Sequence, residues 1–317
     1  MKRALMSLCA VVTVAAGTLT GCAGSAGGAR GADGGGDGPG ARVATGVRPA
    51  ALTWQQELRV ADALQRLTRQ CMNRQGFTYW EDRRLTLRES RPVRYVQDDV
   101  SWARAHGYGS RIDAESARVR ESNPNGTYRQ SLSPTRRAAF DAALDGGDDA
   151  RLLTASLPGR GQIRKRIGGC TQEAEQALYG DPATWFRASK TAMNLTSLYG
   201  EQLMTDHPFT TALKAWSRCM RQAGQPYRDP QAARDAVRVA TSRLGAARAD
   251  EAFAAERATA VADATCARRT GLRATATARE TYHLDRLRDR YGKDIDTYRR
   301  LGQQAYSRAV RIVAERD

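Results

Sequence analysis

The residues of this 317-residue chain whose types invite chemistry are six cysteines and three histidines. His106, His207 and His283 lie far apart, and no two cysteines form a Cys-x-x-Cys pair, so no zinc or redox motif is present and no metal or cofactor is expected. Cys71, Cys170, Cys219 and Cys266 read instead as two disulfides of a protein folded in an oxidising compartment. There is no Gly-x-Ser-x-Gly elbow, phosphate loop, dinucleotide fingerprint or His-Glu-x-x-His helix. Glu173 and Glu175 are two positions apart, point to different sides of a helix, and read as solvated residues. Asp145-Gly146-Gly147-Asp148-Asp149 lacks the ligand spacing of a calcium loop and reads as a turn with a helix cap. The histidines read as surface or capping residues.

Aromatic residues cluster between Phe77 and Tyr108. Tyr79, Trp80, Tyr95, Trp102 and Tyr108 are interleaved with Arg83, Arg84, Arg88, Arg91 and Arg94. Rings beside guanidinium groups suit sugars, anionic polymers or a protein partner, so these five form the candidate binding surface. The plainer reading is a segment whose rings pack onto helices while its arginines stay wet.

The elements that position these residues are mostly helices. Val60, Leu64, Leu67 and Cys71 mark one apolar helical face, closed by Gly76. Ser133-Pro134, Asp181-Pro182 and Asp229-Pro230 each place an acceptor before a proline at a helix start. Ile163, Ile167, Cys170, Ala174 and Leu178 predict a further helical face, with Gly168-Gly169 a weak point or a place of close approach. Phe209, Leu213, Trp216 and Met220 form another, and a stripe of small residues from Ala252 to Cys266 lets a neighbouring helix come near. Residues from Leu284 to Ile312 predict one long basic final helix. The fold class expected is mainly α and disulfide-clamped, with little β, as one domain or two related halves at 51–200 and 201–317.

Ahead of these halves, Met1-Lys2-Arg3 precedes an apolar run from Ala4 to Ala16, the form of an export signal over 1–21. Residues 22–50 are rich in Gly, Ala and Arg and read as a tether. Leu19-Thr20-Gly21-Cys22 resembles the lipobox of bacterial lipoproteins. That resemblance implies a diacylglyceryl group on Cys22 and anchorage at the outer face of the cell membrane.

Cys71-Met72 through Gly76 to Tyr79 and Cys219-Met220 through Gly224 to Tyr227 share four residues at equal spacing. One bridge per half, Cys71 with Cys170 and Cys219 with Cys266, is the most economical pairing; the two crossed pairings stay open. The repeat, with Ser131-Leu132-Ser133 and Gly169-Cys170-x-x-Glu173-Ala174, is similar to a pattern of secreted lipoproteins in streptomycetes and their relatives. The similarity covers most of the chain after Trp54 and implies structure, not an activity.

Net charge is +16, carried almost wholly by arginine, as in a GC-rich genome. It fits solvated helix faces or attraction to anionic lipid and wall polymer beside an anchor. An exported address disfavours nucleic acid as a partner despite the charge. The expected role is a non-enzymatic envelope accessory or binding protein contacting wall polymer, lipid or a membrane complex. The alternative is a wall-modifying hydrolase with an unrecognised carboxylate site. A transporter's solute receptor would need two α/β lobes, whose strands this chain mostly lacks.

Overall fold

The computed structural model describes residues 48–82, 86–92 and 94–314. The expected export segment, Cys22, all of the tether but its last three residues, and Arg83 and Arg84 lie outside the described residues. What is described is mainly helical, with one two-stranded sheet and two disulfides. In chain order the helices before the sheet are α1 (Trp54–Arg74), α2 (Val100–His106), α3 (Ser110–Glu121), α4 (Pro124–Ser131) and α5 (Pro134–Asp145). Strands β1 (Arg151–Ser156) and β2 (Gln162–Ile167) pair antiparallel, Arg151 opposite Ile167 and Ser156 opposite Gln162. Then come α6 (Gly169–Tyr179), α7 (Pro182–Ala192), α8 (Thr196–Thr205), α9 (His207–Gln222) and α10 (Pro230–Leu244). The chain closes with α11 (Ala249–Arg269), α12 (Leu272–Asp285) and α13 (Arg288–Ala309). Ser133, Asp181 and Asp229 each accept a first-turn backbone N–H beside a first-position proline, which starts α5, α7 and α10.

The repeated segment is a helix terminus locked to a disulfide. At the end of α1, Phe77 donates its N–H to the Met72 carbonyl at 3.0 Å and Gly76 donates to Asn73 at 3.1 Å. At the end of α9, Gln225 donates to Met220 at 2.8 Å and Gly224 to Arg221 at 3.0 Å. This is the six-to-one and five-to-two pattern of a Schellman cap, with φ of 77° at Gly76 and 73° at Gly224. One turn before each cap a cysteine leaves the helix. Cys71 joins Cys170 at the start of α6, and Cys219 joins Cys266 on α11, with Cα–Cα separations of 5.4 and 5.6 Å. Met72 and Met220, beside these cysteines, are both fully buried.

Two apolar cores form around the bridges, and the chain passes between them more than once. One core joins Val60 and Ala63 of α1, Leu178 of α6 and Ala305 and Ala309 of α13, continuing through Cys71, Phe77, Phe140 and Cys170. The other gathers Trp216, Phe209 and Met220 of α9, Cys266 and Ala267 of α11 and Leu272 of α12. Helix α2 lies on α11 through Ala103, Ala260 and Ala264, the close approach that small side chains permit. The C-terminal helix α13 packs instead on α1, α6 and α7. The boundary at residue 200 therefore does not divide the packing: α2 crosses to α11, and α13 returns to α1, α6 and α7.

Two helical expectations need correction. Residues 162–167 are strand β2, in which Ile163, Lys165 and Ile167 alternate on the more sheltered side, and the helix begins at Gly169. Gly169 has φ of 54°, and a Cβ there would meet the Ala143 carbonyl oxygen at 2.3 Å, so the end of α5 approaches too closely for any side chain. The expected final helix is broken at Arg286 and Leu287 into α12 and α13.

The glycines predict a graded response. Open space surrounds a Cβ at Gly76 or Gly224, so Gly→Ala at either should cost only the left-handed backbone, about 1 kcal/mol. Gly107, with φ of 61°, would place its Cβ 2.7 Å from Glu256 Oε1, and Gly107→Ala should lower the denaturation midpoint clearly more than either. Urea titration of the three variants tests that order.

Candidate functional site

A shallow groove runs between the start of α1, the turn at 87–90 and helix α2. Trp54, Leu87, Arg88, Arg91, Asp99, Ser101, Trp102, Ala105 and His106 line it, and it holds about 540 Å³. Asp99 N-caps α2, accepting the Trp102 N–H at 2.9 Å, and also accepts Arg91 Nη1 at 2.7 Å. This fixes the Arg91 guanidinium 4.8 Å above the Trp102 ring, a cation–π arrangement. One turn on, the His106 ring lies 4.4 Å from Trp102. Arg88 is exposed at the rim, held by a turn in which Glu89 accepts the Thr86 N–H at 2.8 Å. The backbone N–H of Trp102 and the Arg91 side chain hold the Asp99 carboxyl below its usual range. Burial, then the charges of Arg88 and Arg91, hold the His106 ring below the usual histidine range. The groove thus presents two indole rings and two guanidinium groups against one carboxylate.

The five aromatic residues expected to share a surface do not form one. Trp102 lies in this groove. Tyr79 packs beside Phe77 and Phe140, and Trp80 sits edge-on to Tyr128 at 5.7 Å, its backbone clasped by Asn125 at 2.8 and 2.9 Å. Tyr95 lies against Phe209 in the second core, with its hydroxyl buried. Tyr108 donates its hydroxyl to Asp263 at 3.1 Å beneath the Arg234 guanidinium. The physical reason is the crossing itself: each ring packs into whichever core its stretch passes.

Sequence reasoning also missed which acids are buried. Glu256, 1% exposed, takes the Tyr108 N–H at 2.8 Å, the Ser110 N–H at 3.2 Å and the Ser110 hydroxyl, so it closes the start of α3. Asp263, with no exposure, accepts Trp216 Nε1 at 3.0 Å as well as the Tyr108 hydroxyl. Burial pushes its carboxyl up to about 6 against the opposing pull of Arg234. A cleft of about 440 Å³ beside them is lined by Tyr108, Asp113, Arg234 and Glu256 among others. Asp113 and Glu256 are its two carboxylates, and Glu256 is wholly committed to the three donors just named. Glu175, expected to be solvated, is buried and paired with Lys165, whereas Glu173 is exposed and pairs with Arg74. His283, expected at the surface, is buried with Nε2 3.2 Å from Asp206, itself held by Arg279 at 2.8 Å. Charged residues on a mostly polar helix carry no pattern that marks them as internal; only the small-residue stripe of α11 hinted at its burial.

Fold and groove together define a mainly helical, disulfide-bonded protein with an aromatic and basic surface cleft. No known protein family, curated protein or solved structure matches the chain. Among the described residues no group of His, Cys, Asp or Glu is arranged to hold a metal ion, and no helix is long and apolar enough to cross a membrane.

Asp263 sets a pH dependence. Its folded value lies above the unfolded 3.8, so ionisation opposes folding: its contribution is favourable below about pH 4 and is lost as pH rises toward 6 and beyond. The difference amounts to on the order of 3 kcal/mol. Asp263→Asn keeps an acceptor for Trp216 and removes the charge. Thermal melts from pH 4 to 7 should therefore decline less steeply for the variant than for the parent protein.

Proposed function

We propose that this is a lipid-anchored extracytoplasmic binding protein, not an enzyme, that grips an anionic polymer of the cell envelope in the Trp54–Trp102 groove. The observation that carries the reading is the Arg91 guanidinium stacked on Trp102 with Arg88 at the rim: planar cations for phosphate or carboxylate, and ring faces for sugar. The net charge of +16 adds long-range attraction of the same sign. The lipobox-like Leu19-Thr20-Gly21-Cys22 supports attachment through Cys22 at the outer face of the membrane, and the two disulfides fit an oxidising compartment. Two acyl chains would hold such a protein firmly, where one would not. Trp54 opens α1, the first helix after the segment read as a tether.

The test is co-sedimentation of the oxidised protein with purified cell wall and with anionic liposomes over a salt series. Wall binding is expected, and Arg88→Ala and Trp102→Ala should each weaken it several-fold while the Arg88 variant melts like the parent. Binding that vanishes once salt screens exposed charge, and is indifferent to both substitutions, would reduce the arginine excess to a general adhesive and sink the groove reading. Preference for liposomes over wall would move the ligand from polymer to lipid headgroup. Turnover of a wall substrate by the purified protein would replace the binding role with the hydrolytic one.

A further inference from the structure

A second cavity, also bordered by the first turn of α1, is built differently. It encloses about 180 Å³ between α1, α6, α7 and α13, and Leu52, Glu57, Tyr179, Trp185, Met193, Tyr298, Arg299 and Gly302 are among the residues lining it. Three of its rings form a pile. Tyr179 and Trp185 stack at 3.8 Å with planes 8° apart, and Trp185 and Tyr298 follow at 5.3 Å and 16°. The pile is held from outside. Gly180, with φ of 84°, turns the chain between α6 and α7, and Asp181 caps α7 through the Thr184 N–H at 2.9 Å. Arg308 of α13 donates to the Leu178 carbonyl at 2.8 Å, tying α13 to the end of α6.

Two charged side chains of opposite sign face this cavity, Glu57 from the first turn of α1 and Arg299 from α13. Both are half-buried, and among the described residues neither has an ion pair or side-chain hydrogen bond, with the other or with anything else. The cost is visible in each. Burial pushes the Glu57 carboxyl up to about 7, and burial, then the repulsion of Arg288, lower Arg299 against the pull of Asp296 and Asp285, with Arg48 adding least. Burial raises both Tyr179 and Tyr298; Glu57 adds to each, at Tyr179 behind Tyr298 and Glu175, and Arg299 opposes it at Tyr298.

Each class of small ligand meets these charges differently. A neutral sugar would satisfy hydrogen bonds but leave both charges uncompensated in a partly dry site. A simple anion would meet Glu57, and a simple cation would meet Arg299 with Arg48 behind it. A small molecule carrying both a cation and an anion compensates both, and its carbon body can lie against the ring pile. The volume is below the 300–1,000 Å³ of sites for drug-sized ligands, which sets the ligand near the size of one amino acid.

We propose that this cavity is a binding site for a small amphoteric molecule of the α-amino-acid kind, its ammonium on Glu57, its carboxylate on Arg299 and its side chain against Tyr179, Trp185 and Tyr298. The site is distinct from the groove, and it stands or falls without reference to what the groove binds. It exposes a tryptophan as its own reporter.

The experiment is titration of the full-length oxidised protein, in detergent, with leucine, lysine and tyrosine, followed by calorimetry and tryptophan fluorescence. The same amino acids with the amine acetylated or the carboxyl amidated, and glucose as a neutral probe, form the comparison. Saturable binding of at least one free amino acid is expected, weakened about tenfold or more by blocking either end. Glu57→Gln should abolish the penalty for acetylation and keep that for amidation, and Arg299→Met should do the reverse. That crossed pattern separates ligand contact from misfolding, because a damaged fold would lose both together. Equal binding of free and blocked forms, glucose binding in their place, or no binding by any probe would overturn the proposal. Unchanged wall binding by the Glu57→Gln protein would show that the groove is untouched by this outcome.

Discussion

Two carboxylates sit inside helix α11 where water does not reach, and the way they are satisfied organises the second half of the molecule. A buried carboxylate is tolerated only with donors around it. Glu256 obtains them from Tyr108 and Ser110, and Asp263 from Tyr108 and Trp216. The donors come from different parts of the chain, α9 on one side and the junction of α2 and α3 on the other. Satisfying two acids thus fastens three stretches that are far apart in sequence. Gly107 belongs to the same arrangement, since its missing side chain is what lets Glu256 close against the backbone. At Asp263 burial raises the carboxyl despite the pull of Arg234 and the hydrogen bonds from Tyr108 and Trp216.

The disulfides solve the complementary problem in both cores. Each ties a helix end, already closed by its Schellman cap, to a helix that begins or continues elsewhere. The cap removes the freedom of the last turn, so the cysteine one turn earlier is held at the separation a bridge requires. In α1 the other end is fixed too, by the reciprocal hydrogen bonds of Thr53 and Gln56. Helix α1 is therefore a rigid piece with both termini pinned. It carries Trp54 to the groove and Glu57 to the cavity, both from its first turn.

What could be read in advance follows from which features are local. The Cys-Met-x-x-x-Gly repeat is a local device, cap and cysteine within six residues, and its geometry in the structure follows from those residues alone. The Asp-Pro and Ser-Pro helix starts are local in the same way. Ile163 and Ile167 misled because their spacing also fits an alternating strand, in which Lys165 shares their side; Gly168 and Gly169 were the sign that a helix could not run through. The aromatic segment 77–108 suggested a shared surface because its residues are near in sequence, but it is a crossing between cores, and each ring went to a different neighbour. The Tyr179–Trp185–Tyr298 pile was illegible for the opposite reason. Tyr298 lies more than a hundred residues from the other two and meets them only because α13 returns to the first core.

That return also bears on what the acids can do. Catalysis by paired carboxyl groups needs two acids facing one cleft at about 5–9.5 Å, each with lone pairs to spare. Asp99 spends its oxygens on the α2 cap and Arg91, Asp206 on the α9 cap, Arg279 and His283, and Glu256 on the start of α3. Taking any of these for chemistry would undo a helix start or a link between helices. Glu57 differs, because among the described residues it has no ion pair or side-chain hydrogen bond, and it is the one carboxylate among the residues lining the aromatic cavity. A single acid lining a small aromatic cavity with one arginine lacks the second carboxyl that paired-acid hydrolysis needs, and suits the two-charged ligand proposed above. Asp206, Glu256 and Asp263 are committed to architecture, whereas Glu57 is placed where recognition, rather than bond cleavage, can use it.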